Sequence, residues 1–384
     1  MNILFIYDAP LRPENGGTER ATQLVMDELA RRGHHTIGIL HWNQSNPTKV
    51  FLNGVRVDSI SVFLKENHID VVVNQIAFHP RFLSQFLKNG GQEWKDNGGK
   101  IISFMHLDPT PAPRRKLRKY FTDWNSKNLA GKLKRLAFIM YLPIFHYKAD
   151  KAYRNGLRYL YDKSDSYVLM SESFLEAFMN LAGLEQAEKV SFIPNMLTFS
   201  EIATEGILEI KDNIALVVAR MDDEQKNISF IIKAWQSLKN HYGFHLHILG
   251  DGQDIDMLKN MAVGSADIHF EGAQSPLSWY QKSKIFLMAS PREGWGLTIT
   301  ESLQNGVVPI VLNTSTVFKD IISDANNGFL PKTEKEYRAR LESLLSDNNK
   351  RQRMAIEGLK SVHRFTPKIV GEKWLSLLDK LQSK

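Results

Sequence analysis

Residues 291–312 read PREGWGLTITESLQNGVVPIVL. The stretch follows a short apolar run at 285–288, presents Glu293, turns through Gly294-Trp295-Gly296, and places Glu301 eight residues after Glu293. Glu301 falls in the first turn of the helix expected next, and Gly306 stands where that helix must end before a second apolar run at 308–312. Strand, glycine turn, helix and strand in this order form the repeating unit of a parallel sheet.

The same grammar extends outward on both sides. Further strand candidates in the second half are 214–218, 245–249 and 268–271, with a helix at 228–238. The first half has strand candidates at 3–7, 36–40, 71–74, 100–104, 166–170 and 190–193. A helix follows the loop at 12–18 and runs to about Arg32, with Ala21, Leu24, Val25, Glu28 and Leu29 at helical spacing and Gly33 placed to cap it. Glu28 is the polar exception on that face. Pro194 and Asn195 punctuate the end of this half. A chain of 384 residues exceeds what one core usually serves. The expected fold is α/β, with two Rossmann-like doubly wound domains and an interdomain cleft. The first spans residues 1–195 and the second 196–366. A final helix at 367–382 could pack on either, including back on the first domain.

In open α/β sheets ligands bind beyond the carboxyl ends of the strands. Three loops there are unusual. Asn15-Gly16-Gly17-Thr18 precedes the first helix, where consecutive glycines admit a close ligand and helix amides face an anion. A tight turn explains the same residues, and the loop is not the GxGxxG dinucleotide fingerprint. Arg220 and Lys226, in ARMDDEQKN, offer a forked donor and a movable point charge suited to a diphosphate. Salt bridges to Asp222, Asp223 or Glu224 would account for them equally. The third loop is the acid pair Glu293 and Glu301.

Taken together, GGTE at 16–19, FMHLDP around His106, IPN at 193–195, Arg220 with Lys226, the GDG at Gly250–Gly252 and the acid pair resemble glycosyltransferase family 4 of the GT-B fold, with its E-x7-E signature. The resemblance runs along nearly the whole chain. It implies that Glu301 accepts hydrogen bonds from ribose hydroxyls and that Glu293 lies beside the hydroxyls of the donor sugar. The backbone after Gly294 and Gly296, at Leu297 and Thr298, would donate to the diphosphate, which Arg220 and Lys226 would neutralise. Gly16 would bind the donor, Gly17 would close over the diphosphate from the other domain, Gly250 would line the donor site, and His106 would contact the sugar near the reacting carbon. Arg220 and Lys226 are one residue further apart than the family pattern, and Gln253 replaces the usual proline after GDG. Plainer readings also exist. Thr298 and Glu301 spell a T-x-x-E capping box, His106 could be structural, and Asp254 with Asp256 spell the DxD metal signal of another glycosyltransferase fold.

The expected reaction is transfer of a sugar from a nucleotide-diphosphate sugar to a glycan or lipid-linked acceptor, with retention of configuration, in cell-surface polysaccharide or lipopolysaccharide synthesis. Uridine is the favoured base over guanosine, and no cofactor or metal is expected. A sugar-nucleotide epimerase, a phosphorylase and a non-catalytic sugar-binding protein are the competing readings.

Composition narrows the setting. Apolar residues make up 43% and charged residues 24%, which argues against disorder. Zero cysteines removes disulfides, thiolate metal sites and cysteine nucleophiles, and fits a reducing, cytoplasmic address. MNILFIYDAP has no basic n-region and reads as a buried strand rather than a signal peptide. No apolar run approaches the ~20 residues that cross a bilayer. Residues 114–163 hold fourteen Lys or Arg against Asp123, Asp150 and Asp162, a local charge of +11 in a chain of +7. Leu117, Trp124, Leu133, Phe138, Tyr141 and Phe145 interleave with them. Such a stretch suits peripheral contact with anionic membrane, here the inner face, or an ordinary solvated helical face over a core stripe. Nucleic acid is not expected, because no recognition motif accompanies the charge.

Overall fold

The computed structural model describes residues 1–14, 16–42, 49–111 and 129–383. Asn15 of the glycine loop therefore lies outside the described residues, as do Arg114, Arg115, Lys116, Arg118, Lys119, Asp123 and Lys127 of the basic stretch. The chain divides into two compact units. One comprises Met1–Pro10, Ile37–Val168 and Leu175–Ser191; the other comprises Leu11–Thr36, Leu169–Phe174 and Phe192–Lys384.

Among the described residues the first sheet has eight strands: β1 (Asn2–Tyr7), β2 (His35–Trp42), β3 (Val50–Leu52), β4 (Val55–Val57), β5 (Val71–Asn74), β6 (Lys100–Met105), β7 (Ser166–Leu169) and β8 (Val190–Phe192). Their order is β4-β3-β2-β1-β5-β6-β7-β8, with β1, β5 and β6 pairing in parallel. Ile3, Leu4, Phe5, Val71, Val72 and Val73 are fully buried, as continuous apolar strands must be when both faces of a sheet are covered. One edge departs from the expected parallel pattern. β3 and β4 form an antiparallel hairpin turned at Asn53-Gly54, both with positive φ. That geometry matches the right-handed twist of the flanking strands and demands residues that tolerate it.

The second sheet comprises β9 (Ile214–Val218), β10 (His245–Leu249), β11 (Ile268–Gly272), β12 (Ile285–Met288) and β13 (Val308–Val311), in the order β11-β10-β9-β12-β13. The pairs β9 with β10, β10 with β11, β9 with β12 and β12 with β13 are all parallel. Val217, Ile248, Leu287 and Ile310 of this sheet share one core with Ile232 and Trp235 of the helix Ile228–Gln236.

Helix α1 (Gly17–Arg31) belongs to the second unit, and the last helix, Pro367–Gln382, packs on it. Glu28, the polar residue on the apolar face of α1, is buried between Arg31 and Arg32, at 2.7 and 2.6 Å. Arg32 reaches Glu372 at 2.6 Å, and a side chain at Gly371 would collide with Glu28 and Arg32. Burial pushes the Glu28 carboxyl up, but hydrogen bonds from the two arginines outweigh it and hold the group below the usual carboxylate range.

A long helix, Leu129–Lys163, is anchored through Leu157, Leu160 and Tyr161, which are buried. Its earlier turns are different. Leu133, Leu136, Phe138, Met140, Tyr141, Ile144, Phe145 and Tyr147 are exposed, Met140 and Tyr147 by 81% and 67%. A core stripe is therefore absent from these turns, where Leu142 is the one large apolar side chain among the described residues that is buried. Lys134, Lys148, Lys151, Arg154 and Arg158 are exposed on the same helix. No helix among the described residues is long and apolar enough to cross a membrane.

Candidate functional site

The second sheet winds outward in both directions from β9 and β12, so the loops leaving the carboxyl ends of these neighbours diverge. The loop after β9 carries Arg220 and leads into the short helix Asp223–Lys226; the loop after β12 carries Glu293 and the Gly-Trp-Gly turn. Topology alone thus brings together two of the three loops singled out in the sequence.

Lys226 Nζ meets Glu293 Oε1 at 2.6 Å, with side chains 24% and 16% exposed. Neither Asp222 nor Asp223 neutralises it. Asp222 caps its own helix by accepting from the Gln225 amide at 3.1 Å, and Asp223 accepts from the Ser229 amide and hydroxyl, both at 2.7 Å. Arg220 is exposed and makes no ion pair among the described residues. The surface salt bridges open to these cations in the sequence are replaced by one pair joining two candidate site residues.

The GDG loop braces this arrangement from β10. Gly250 has φ +134°, and a Cβ there would stand 1.8 Å from the Ala219 carbonyl oxygen. A Cβ on Gly252 would stand 2.7 Å from the carbonyl oxygen of Met221, whose amide donates to Asp251 O at 2.9 Å. These glycines are required because two backbones touch, which fixes the strand end before Arg220. Asp254 accepts from the Asp223 amide at 2.8 Å and so serves the same loop.

After Trp295, buried edge-on against Phe365, Gly296 adopts a left-handed conformation and starts the helix Leu297–Gln304. The Leu297 and Thr298 amides occupy the first turn, where no intrahelical acceptor exists. This start also decides the reading of T-x-x-E. Thr298 is the second helical residue rather than the cap, so no capping box forms. The Glu301 carboxylate, with 0% exposure, instead takes Arg20 Nη1 on Oε1 at 2.8 Å and the Tyr280 hydroxyl on Oε2 at 3.0 Å. Gly16 caps α1 with extended backbone, and a Cβ on Gly17 would sit 3.5 Å from Leu297 Cδ1. The N-terminal turns of the two helices are neighbours within one unit.

In the other unit His106 follows β6 and Gln75 follows β5, the adjacent parallel strand. His106 Nε2 donates to Gln75 Oε1, and its ring packs on Phe104 at 4.1 Å. Burial pushes the imidazole down to about 3, so it is neutral throughout the physiological range. His106 Nδ1 and Gln75 Nε2 are buried without a hydrogen-bond partner among the described residues, one acceptor and one donor at the carboxyl ends of two strands.

Arg20, Tyr280 and Gln75 did not emerge from the sequence. Arg20 sits two residues past the GGT of the glycine loop, and Gln75 directly follows a predicted strand, so position could have flagged both. Nothing local marks Tyr280.

Residues 200–361 match a family model described as glycosyl transferases group 1. The chain is 24% identical over 264 residues to the UDP-N-acetylglucosamine–peptide N-acetylglucosaminyltransferase GtfA subunit of Limosilactobacillus reuteri, covering 63% of this chain and 51% of that one. It spans about half or less of the length of the first curated relatives it matches. Among solved structures, the lipopolysaccharide outer core galactosyltransferase WaaB aligns over 99% of both chains, with TM-score 0.68 and 16% identity. The Anabaena protein HepE, solved in complex with UDP-glucose, aligns over 100% of both, with TM-score 0.67 and 13% identity. Identities this low establish the fold. Residues 200–361, which hold Arg220, Lys226, Glu293 and Glu301, therefore carry a glycosyl transferases group 1 domain, in a chain built of two Rossmann-like sheets as in GT-B glycosyltransferase structures.

Proposed function

We propose that this protein is a retaining glycosyltransferase of the family 4 type, transferring a hexosyl group from a UDP-sugar to a glycan or lipid-linked acceptor without a metal. The observation that carries this reading is the grouping of Lys226, Glu293 and the first turn of the helix Leu297–Gln304 at the carboxyl ends of β9 and β12. Breaking the bond between an anomeric carbon and a nucleoside diphosphate places negative charge on the leaving oxygen. Lys226, Arg220 and the amides of Leu297 and Thr298 supply fixed positive potential for it. Glu293 holds Lys226 and presents its remaining acceptor capacity to sugar hydroxyls. Glu301 takes the ribose. His106 is too weakly basic to act as a proton carrier and serves the sugar as a hydrogen-bonding group, together with Gln75. No group among the described residues is an evident nucleophile, so by the family pattern the acceptor hydroxyl attacks on the face the phosphate leaves and gives its proton to the departing phosphate oxygen. Uridine is favoured because one relative is a UDP-N-acetylglucosamine–peptide N-acetylglucosaminyltransferase subunit and HepE was solved with UDP-glucose.

Purified protein challenged with UDP-sugars and GDP-sugars tests this. A UDP-sugar is expected to raise the melting temperature and to be consumed only with acceptor present, with or without EDTA. Interconversion of the donor without acceptor would identify an epimerase. Loss of turnover on EDTA with rescue by Mg²⁺ or Mn²⁺ would overturn metal independence and return Asp254 and Asp256 to consideration.

The helix Leu129–Lys163 is proposed to bring the enzyme to an anionic membrane, where lipid-linked acceptors reside, in keeping with a cytoplasmic protein at the inner face. Large apolar side chains exposed over residues 133–147 and followed by Lys148, Lys151, Arg154 and Arg158 fit an interfacial helix better than a solvated one. Each basic residue at such a surface contributes about 1 kcal/mol. The protein is expected to sediment with anionic vesicles, to be released by high salt, and to lose binding when Met140 and Ile144 are replaced by glutamate. Equal sedimentation with neutral and anionic vesicles would reject the assignment.

A further inference from the structure

We infer that Arg20, in the first turn of α1, is a positioning residue for donor binding that acts through Glu301; this rests on the proposed role of Glu301 as ribose ligand. An ionised carboxylate has about four acceptor positions, two on each oxygen. Arg20 takes one on Oε1 and Tyr280 one on Oε2, which leaves one on each oxygen, the number a ribose diol requires. The two donors differ in what they contribute. Tyr280 is a neutral dipole, fully buried, and burial together with the charge of Glu301 pushes its phenol well up, so it stays an O–H donor. Arg20 supplies the countercharge. A carboxylate with 0% exposure and only neutral donors would carry a large desolvation cost. Asn305 fixes the same residue from behind, its Nδ2 donating to Glu301 O at 2.9 Å. Arg20 is itself held, because its amide donates to Gly16 O at 3.1 Å and α1 continues without a break to Arg31. The glycine loop therefore has a second purpose: it sets the helix turn from which Arg20 reaches Glu301.

The experiment compares UDP with 2′,3′-dideoxy-UDP by calorimetry. Wild-type protein should prefer UDP. Arg20→Ala should lose about tenfold in UDP affinity and almost nothing for the dideoxy ligand, while Arg20→Lys recovers most of the loss. In a Glu301→Gln background, where Arg20→Ala leaves no buried carboxylate without its countercharge, Arg20→Ala should change neither affinity further. Equal losses for both ligands would mean that Arg20 contacts phosphate directly, and unchanged UDP affinity in folded Arg20→Ala would leave it a purely structural cation; either result overturns the inference alone. Wild-type protein that does not distinguish the two ligands, or binds neither, would instead overturn the ribose role of Glu301 and this inference with it.

Discussion

Lys226→Ala is expected to lower kcat by about a hundredfold to a thousandfold, the range seen when one preorganised donor to a developing anion is removed. Lys226 Nζ sits 2.6 Å from Glu293, so the substitution removes a cation from the proposed leaving group and also frees a carboxylate to repel it. Both effects act on the charge that grows during bond cleavage, so the loss belongs in kcat as well as in donor affinity. The fold should notice little. The pair is partly exposed, and such pairs contribute about 1 kcal/mol or less. Lys226→Arg keeps the charge and should retain more activity, with the deficit of a planar fork in place of a compact ammonium. Initial rates at saturating donor, beside thermal melting of each variant, check the expectation. Full activity in folded Lys226→Ala would remove Lys226 from the diphosphate site.

Glu301→Gln is expected to cost about 1.5–3 kcal/mol in nucleoside diphosphate affinity, the span for hydrogen bonds to a charged group, or roughly tenfold to over a hundredfold. A glutamine has one accepting oxygen and presents an NH₂ where the carboxylate had its second. Because Glu301 already receives Arg20 and Tyr280, one from each side, the amide keeps Arg20 on its oxygen only without the charge that paired it, and its NH₂ must face the Tyr280 hydroxyl, which then has to turn its own proton toward Thr298 O, 3.4 Å away. The structure therefore adds a stability cost of about 1–3 kcal/mol that a helix cap would not have produced. Calorimetry well below the melting temperature of the variant separates the two losses. Unchanged affinity in a folded variant would remove Glu301 from the ribose site.

Much of the fold was legible because secondary structure is written in short-range periodicity. Val71–Asn74, Ile214–Val218 and Ile285–Met288 are short, mostly apolar runs, each preceded by a polar residue, and the folded chain makes them strands with those bounds. The alternation of such runs with helices implies parallel sheets, and in the second sheet the order of winding puts the loops after β9 and β12 side by side. The Asn53-Gly54 hairpin was equally local, yet its two three-residue strands are too short to show a period of two.

What sequence alone determined was most strands of the two sheets, the helices Gly17–Arg31, Ile228–Gln236, Leu297–Gln304 and Pro367–Gln382, the α/β class with two Rossmann-like sheets, and the loops on which Arg220, Lys226, Glu293 and Glu301 stand. Only the tertiary structure decided which charges meet. Lys226 does not pair with Asp222, which takes the Gln225 amide, or with Asp223, which takes the Ser229 amide and hydroxyl, but with Glu293, 67 residues away. Glu301 finds Arg20 at a separation of 281 residues, and its capping role fails because Gly296 starts the helix two residues before Thr298. Hydrophobic periodicity repeats along the chain and can be read from neighbours. A buried charge is bound only by the need to meet its opposite, and that need is met through space, wherever the sheets happen to deliver a partner.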